Sequence, residues 1–278
     1  MSQNIVFIPY IKREKDITQT SGIGKPRHHQ GYEYGISSWK KWCKKNNCKL
    51  IVLDQLLLPE EEMLITWQRW KVLDILEHNQ IDYDQVLVVD ADSIVHPDCP
   101  NFFELTNHNF TSIRGQGCHE FLGRGIKSYS NLFFNKDWSI KIFECFQTGF
   151  VIINKSHKEF FDRVFDFYNK HKDEIRKSYE TVRTGSDIIL LNVLRGEFEQ
   201  EIRYLPRQFS VEALFTKNLL KVYPQQWWED SLENLYNSGW IYQFNSIPST
   251  PDRDRTYWMQ RIYTELWEKI KNKIKNEK

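Results

Sequence analysis

Val86-Leu87-Val88-Val89-Asp90-Ala91-Asp92 is an apolar run that ends in two carboxylates one residue apart. Four consecutive apolar residues predict a strand buried on both faces, and in extended backbone the side chains of Asp90 and Asp92 project to the same side. Two carboxylates leaving a core together are costly unless something positive neutralises them. A hard divalent cation carrying a phosphate ligand does so. Asp-x-Asp occurs twice more, at Asp82-Tyr83-Asp84 and Asp252-Arg253-Asp254, but neither copy follows an apolar run. The first lies in a polar connection ahead of the strand and the second at the expected start of the last helix, so both read as turn and cap residues.

Outward from this strand the pattern alternates. Residues 4–9 read as an opening strand, 21–31 as a Gly/Pro/His-rich loop holding His28 and His29, 34–45 as a helix, 49–53 as a second strand and 61–77 as a second helix. This βαβαβ order predicts a parallel sheet, whose ligands bind beyond the carboxyl ends of its strands, where Asp90 and Asp92 sit. Downstream, 109–114 reads as a strand and 115–137, with its four glycines, as a long binding or lid loop. A strand over 146–154 follows, then a helix carrying Phe160, Phe161, Val164, Phe165 and Tyr168, with Ser156 and Glu159 at capping-box spacing. Another helix opens at 184–187, short strands are expected at 202–205 and 240–244, and a terminal helix over 255–275.

The 278 residues suffice for a substantial core and are expected to form one domain. With 38 basic and 37 acidic residues mixed along the chain, the formal charge of +1 offers no field for nucleic acid. Five scattered cysteines without metal-like spacing fit a reducing compartment. The N-terminus lacks a basic region before its apolar run, and no segment approaches the roughly 20 apolar residues of a membrane span, so a cytoplasmic protein is expected. The basic end 267–275 reads as a solvated helix terminus, with peripheral membrane contact as the most it would support. Ten tryptophans, several of them late in the chain, read chiefly as core filling.

The stretch Trp67-Gln68-Arg69-Trp70-Lys71, the strand into Asp90-Ala91-Asp92, and Phe103-Glu104-Leu105 together resemble the donor-binding core of GT-A fold glycosyltransferases. The resemblance is strongest to the retaining group that includes glycogenin and the lipooligosaccharide galactosyltransferases. Phe146-Gln147-Thr148-Gly149 is similar to that group's Phe-Asn-x-Gly strand, Asp187-Ile188-Ile189-Leu190-Leu191-Asn192 to its Asp-Gln-x-x-Leu-Asn helix start, and Tyr204-Leu205-Pro206 to the segment after it. Four landmarks in order, over roughly residues 64–206, are far more specific than one tripeptide.

The resemblance implies an α/β GT-A domain over 1–278, a mixed, mainly parallel sheet flanked by helices, with a nucleotide-binding half over 1–100 and an acceptor-side half over 101–278. It implies transfer of a hexose from a nucleotide sugar, UDP-glucose or UDP-galactose first, to a glycan, lipid-linked or protein acceptor, with retention of configuration. Manganese or magnesium would be held by Asp90, Asp92 and the donor diphosphate. Pro9, Tyr10, Arg69, Lys71, Asp90, Ala91, Asp92, Gln147 and Gly149 would line the donor, and Asp187 would be the catalytic-site carboxylate on the sugar hydroxyls. For Gly149 a strand bulge, for Asp187 a helix cap, and for Arg69 and Lys71 exposed helix charge are equally good readings of the residues themselves.

The chain departs from the pattern at Gln147, where the group has Asn, and at Ile188, where it has Gln. Its C-terminal His-Phe-x-Gly-x-x-Lys-Pro-Trp is matched only by Gln243-Phe244-Asn245-Ser246, so Gln243 or Asn245 would supply the third metal ligand through an amide oxygen. Lys25, Arg207, Arg253 and Arg255 are the cations available in place of the missing lysine. Two other readings are a phosphatase of the haloacid dehalogenase type, which would need a downstream lysine and a later acidic pair, and a catalytically inactive nucleotide-sugar-binding module.

Overall fold

The computed structural model describes residues 2–11, 20–21, 25–26, 31–115, 119–182, 187–211, 239–245 and 254–269. In chain order the elements are β1 (Gln3–Pro9), β2 (Thr20–Ser21), β3 (Lys25–Pro26), α1 (Tyr32–Lys45), β4 (Lys49–Leu53), α2 (Ile65–Gln68), α3 (Val72–His78), β5 (Tyr83–Val89) and β6 (Ser93–Val95). They continue as β7 (Thr111–Arg114), α4 (His119–Phe134), β8 (Phe146–Ile153), α5 (Lys158–Lys170), α6 (Lys172–Val182), α7 (Ile188–Glu197), β9 (Arg203–Leu205), β10 (Ile241–Gln243) and α8 (Arg255–Tyr263). Six strands hydrogen-bond in the order β4-β1-β5-β8-β7-β9, a mainly parallel sheet in which β7 and β8 are antiparallel. Two further two-stranded pairs form, β10-β6 and β2-β3.

Val86, Leu87, Val88 and Val89 on β5 are fully buried, as a strand covered on both faces requires. The chain divides into two compact units. One comprises Met1–Ile5, Leu56–Val88 and Phe103–Leu205. Its core is aromatic: the Phe110 ring meets Phe146 and Phe160 edge-on at 5.6 and 5.7 Å, and Trp70 stacks on Phe161 at 5.7 Å. The other comprises Val6–Gln55, Val89–Phe102 and Pro206–Lys278, with Trp42 stacked on Phe102 at 4.6 Å and the Trp267 indole donating to the Val95 carbonyl. Trp39, Trp42, Trp67 and Trp70 are all fully buried, so core filling is their role. Trp227 and Trp228 lie outside the described residues.

Three expectations need correction. The segment expected as a loop over 115–137 is mostly the helix α4. Leu122, Gly125, Ile126, Tyr129 and Ser130 are buried at helical spacing, and a Cβ at Gly125 would come within 3.0 Å of the Ile189 side chain, so this glycine serves close helix packing rather than a turn. The helix expected from residue 61 starts at Ile65 and tightens into a 3-10 turn over Arg69–Lys71. Buried Gln68 explains the delay, because its amide bonds the backbone of Leu57, Leu58 and Met63 and holds the preceding segment in a loop. The cap before α5 is Asn154 with His157, not Ser156 with Glu159: the Asn154 side chain accepts from the Ser156 amide, and His157 Nδ1 accepts from the Asn154 amide. The segment around His28 and His29, the capping residue Thr184 and the chain beyond 269 lie outside the described residues.

Candidate active site

β5 delivers Asp90-Ala91-Asp92 into a turn, and the chain then enters β6, a short strand that sequence periodicity did not reveal. Ser93 holds the turn: its hydroxyl donates to the Asp90 carbonyl at 2.6 Å and accepts from the Trp39 indole at 3.0 Å. α1 lies directly against it. A Cβ on Gly35 would stand 2.3 Å from the Ala91 carbonyl oxygen and 2.7 Å from that of Ser93, so only glycine permits this approach.

β10 pairs antiparallel with β6, placing Gln243 opposite Ser93, and the Phe244 amide extends the pairing by donating to the Asp92 carbonyl at 2.8 Å. The two candidate amide ligands, Gln243 and Asn245, thus arrive beside the carboxylate turn through the backbone ladder. Gln243 is fully buried and Asn245 half-buried. Arg255, the first residue of α8, is a cation at the turn. Its Nη1 lies 3.5 Å from Asp92 Oδ2 and donates to the Tyr32 hydroxyl. Burial opposes the guanidinium charge, but Asp92, Tyr32 and Asp90 outweigh it, so the pKa is raised above its ordinary value. Tyr32 in turn meets the edge of the buried Tyr10 ring at 5.5 Å, and Pro9 immediately precedes Tyr10 at the half-buried end of β1. Asp254 caps α8 by accepting from the Tyr257 amide, as its position predicted.

In the other unit, Arg69 and Asp187 meet. Arg69 is 8% exposed, not the solvated helix charge that its sequence also allowed, because the 3-10 turn directs it inward. Asp187 Oδ2 accepts from Arg69 Nη2 at 2.6 Å, Arg69 Nε at 3.1 Å and the Trp70 indole at 3.1 Å. Asp187 occupies the N-cap position of α7, yet its side chain makes no capping bond. Lys71 points elsewhere, to Asp74 at 3.0 Å and over the Phe165 ring at 3.6 Å.

Gly149 lies in an irregularity of the β7–β8 ladder. Ser112 faces Val151 but Arg114 faces Phe146, so Ile113 alone stands against Gln147–Phe150. The Ser112 hydroxyl clamps this bulge, reaching the Gln147 carbonyl at 2.9 Å and the Phe150 carbonyl at 2.7 Å. Bulges recur beside functional sites because they re-aim the chain, so the strand-bulge reading of Gly149 and a binding role are compatible. Asn192 fixes the start of the same strand through both the amide and the carbonyl of Phe146. A cavity of about 430 Å³ lined by Leu73, Leu76, Ile81, Tyr83, Lys155 and Lys158 opens instead at the amino end of β5.

Gly35, Tyr32, Trp39 and Ser93 were missed from sequence. A glycine inside a helical pattern and a serine directly after the second carboxylate were the only local signals available for two of them. Among the described residues no three His, Cys, Asp or Glu side chains gather as a metal cluster. Asp90 and Asp92, together with Gln243 or Asn245, would offer only oxygen donors, a set that would suit a hard divalent cation completed by phosphate oxygens or water.

No protein-family model and no curated protein matches the sequence. Among solved structures, a glycosyltransferase involved in the glycosylation of the major capsid of PBCV-1 is similar to this chain with a TM-score of 0.51 at 9% identity, over 93% of this chain and 99% of that one. An active-site mutant of LgtC matches at 0.44 and 14% identity over 95% of each chain. GlyE of Streptococcus pneumoniae TIGR4 matches at 0.45 and 16% identity, over 96% of this chain and 64% of that one. The first of these carries the fold assignment. The chain has the GT-A fold.

Proposed function

We propose that the protein is a cytoplasmic, metal-dependent glycosyltransferase that moves a hexose from a nucleotide sugar, UDP-glucose or UDP-galactose first, to a glycan, lipid-linked or protein acceptor with retention of configuration. One observation carries this reading: in a GT-A fold, the Asp90-Ala91-Asp92 turn leaves the buried end of β5 and is pinned there by Ser93, Gly35 and the Phe244 amide. The backbone that carries the two carboxylates is thereby fixed, which favours a site prepared for a cation.

Asp90 and Asp92, with Gln243 or Asn245, would hold manganese or magnesium, which when bound would supply positive charge to offset the negative charge developing on the departing nucleotide diphosphate. The first hundred residues would bind the nucleotide, through Pro9, Tyr10 and Ala91 with the two carboxylates. Arg69, Gln147 and Gly149 would face the donor, and Asp187, oriented by Arg69 and Trp70, would accept hydrogen bonds from sugar hydroxyls. Lys71 has a local partner in Asp74 and is the weakest of the donor candidates. All 278 residues would act as a single transferase domain.

The test is manganese-dependent hydrolysis of UDP-glucose, UDP-galactose and GDP-mannose by the purified chain. One donor should be cleaved, and Asp92→Ala should slow that cleavage by on the order of a hundredfold or more. Turnover and donor binding unchanged in Asp92→Ala would sink the proposal. Donor binding without cleavage would favour the inactive binding module, and hydrolysis of a phosphomonoester alone the phosphatase.

A further inference from the structure

Arg255 stands where a cation already answers the carboxylate pair. Its Nη1 is within ion-pair distance of Asp92 Oδ2 at 3.5 Å but beyond a good hydrogen bond, while the same atom is hydrogen-bonded to the Tyr32 hydroxyl. The Asp92 side chain is only 13% exposed and that of Arg255 30%, so the charges interact through a medium less screening than bulk water. A guanidinium so placed has two consequences for any divalent ion arriving at Asp92. It repels the ion, and it occupies the field that would otherwise draw the ion in. A diphosphate entering with the ion reverses the balance, because its oxygens can accept from both arms of the planar arginine fork, whereas Asp92 Oδ2 stands 3.5 Å from Nη1.

We propose that Arg255 is a built-in counter-cation of the Asp90/Asp92 pair that yields Asp92 to the metal only when a nucleotide diphosphate arrives to take the guanidinium. The free protein therefore binds divalent metal weakly, and metal and nucleotide bind cooperatively, with Arg255 carrying the coupling. The inference rests on the glycosyl-transfer reading and adds to it the order in which the site fills. It also selects Arg255 over Arg207 as the cation that meets the diphosphate, the side chains of Lys25 and Arg253 lying outside the described residues.

The experiment titrates manganese and UDP, separately and together, into the full-length wild-type protein, Arg255→Gln and Arg255→Lys. Metal is followed by the free-manganese spin resonance signal and nucleotide by calorimetry. In wild type, saturating UDP should tighten manganese binding about tenfold or more, a coupling within the ordinary range for linked sites. Arg255→Gln should bind manganese alone about tenfold tighter than wild type, yet bind UDP in saturating manganese about tenfold weaker. Arg255→Lys should lie between the two on both scales. Opposite signs are the diagnostic, since a merely structural role would weaken both affinities together. Manganese binding that UDP does not tighten in wild type overturns the inference even if Arg255→Gln does not fold, and so does unchanged or weakened manganese binding in a folded Arg255→Gln. If wild type binds no UDP at saturating manganese, the glycosyl-transfer reading for a UDP donor falls with it. If it binds UDP but the substitution leaves metal affinity unchanged, only this inference fails.

Discussion

Asp187 receives three hydrogen bonds on a single oxygen, two of them from a guanidinium that is itself nearly inaccessible. Removing either member of such a pair strands a buried charge, so Arg69→Ala should lower unfolding stability by about 3–5 kcal/mol, read from the urea midpoint. Arg69→Ala/Asp187→Ala together should cost less than the sum of the single changes, because the second truncation removes the charge that the first left unpaired. Strict additivity would show that the two residues do not act as a unit. The types and order of these residues were legible in the sequence through the family resemblance. Their pairing was not, because the residues lie far apart in the chain and the 3-10 turn that aims Arg69 inward has no signature of its own.

Helices set the finer geometry. α1 can lie on the carboxylate turn only because residue 35 has no side chain, and the neighbouring atoms are backbone carbonyl oxygens that cannot move aside cheaply. Gly35→Ala should therefore cost about 2 kcal/mol of stability and weaken manganese–nucleotide binding. A variant with wild-type affinity and melting temperature would show that the contact is dispensable.

The cap of α5 carries a pH dependence. Burial pushes the His157 imidazole down to about 4, so the ring is neutral in the fold and Nδ1 can accept from the Asn154 amide. In the unfolded chain it titrates near 6.5. The depressed folded value means that this contribution is complete above about pH 6.5 and is lost as the pH falls toward 4, to about 3 kcal/mol at most. His157→Gln should flatten the stability profile in that window. An unchanged profile would place the loss elsewhere. Sequence spacing located this helix but chose the wrong capping pair, since Ser156 and Glu159 also fit the motif and only the backbone conformation decides between them.

At the scale of the molecule, among the described residues no helix is long and apolar enough to cross a membrane. Cys43, Cys48, Cys99 and Cys145 are all free and buried, and burial raises each thiol pKa, to about 12 for Cys43, Cys48 and Cys145. A buried, protonated thiol is a poor nucleophile, so these four should resist iodoacetamide at pH 8 in the native protein and label fully in denaturant, as peptide mass mapping would show. Labelling of any of the four without loss of structure would contradict their placement.

What the sequence determined by itself was chemical type and local period. Apolar runs must be buried and alternate with amphipathic helices, so the strands leading into Asp90 and Asp92 follow from short-range pattern, while the GT-A fold was implied only by the family resemblance. The glycines of α4 misled for the same reason, since composition reports conformational freedom and not the Ile189 side chain that needs the room. Only the tertiary structure could decide that β10 closes on β6 beside the carboxylates and that Arg255 meets Asp92. Those contacts join residues far apart in the chain, and their energy depends on distance and burial, which no local pattern encodes.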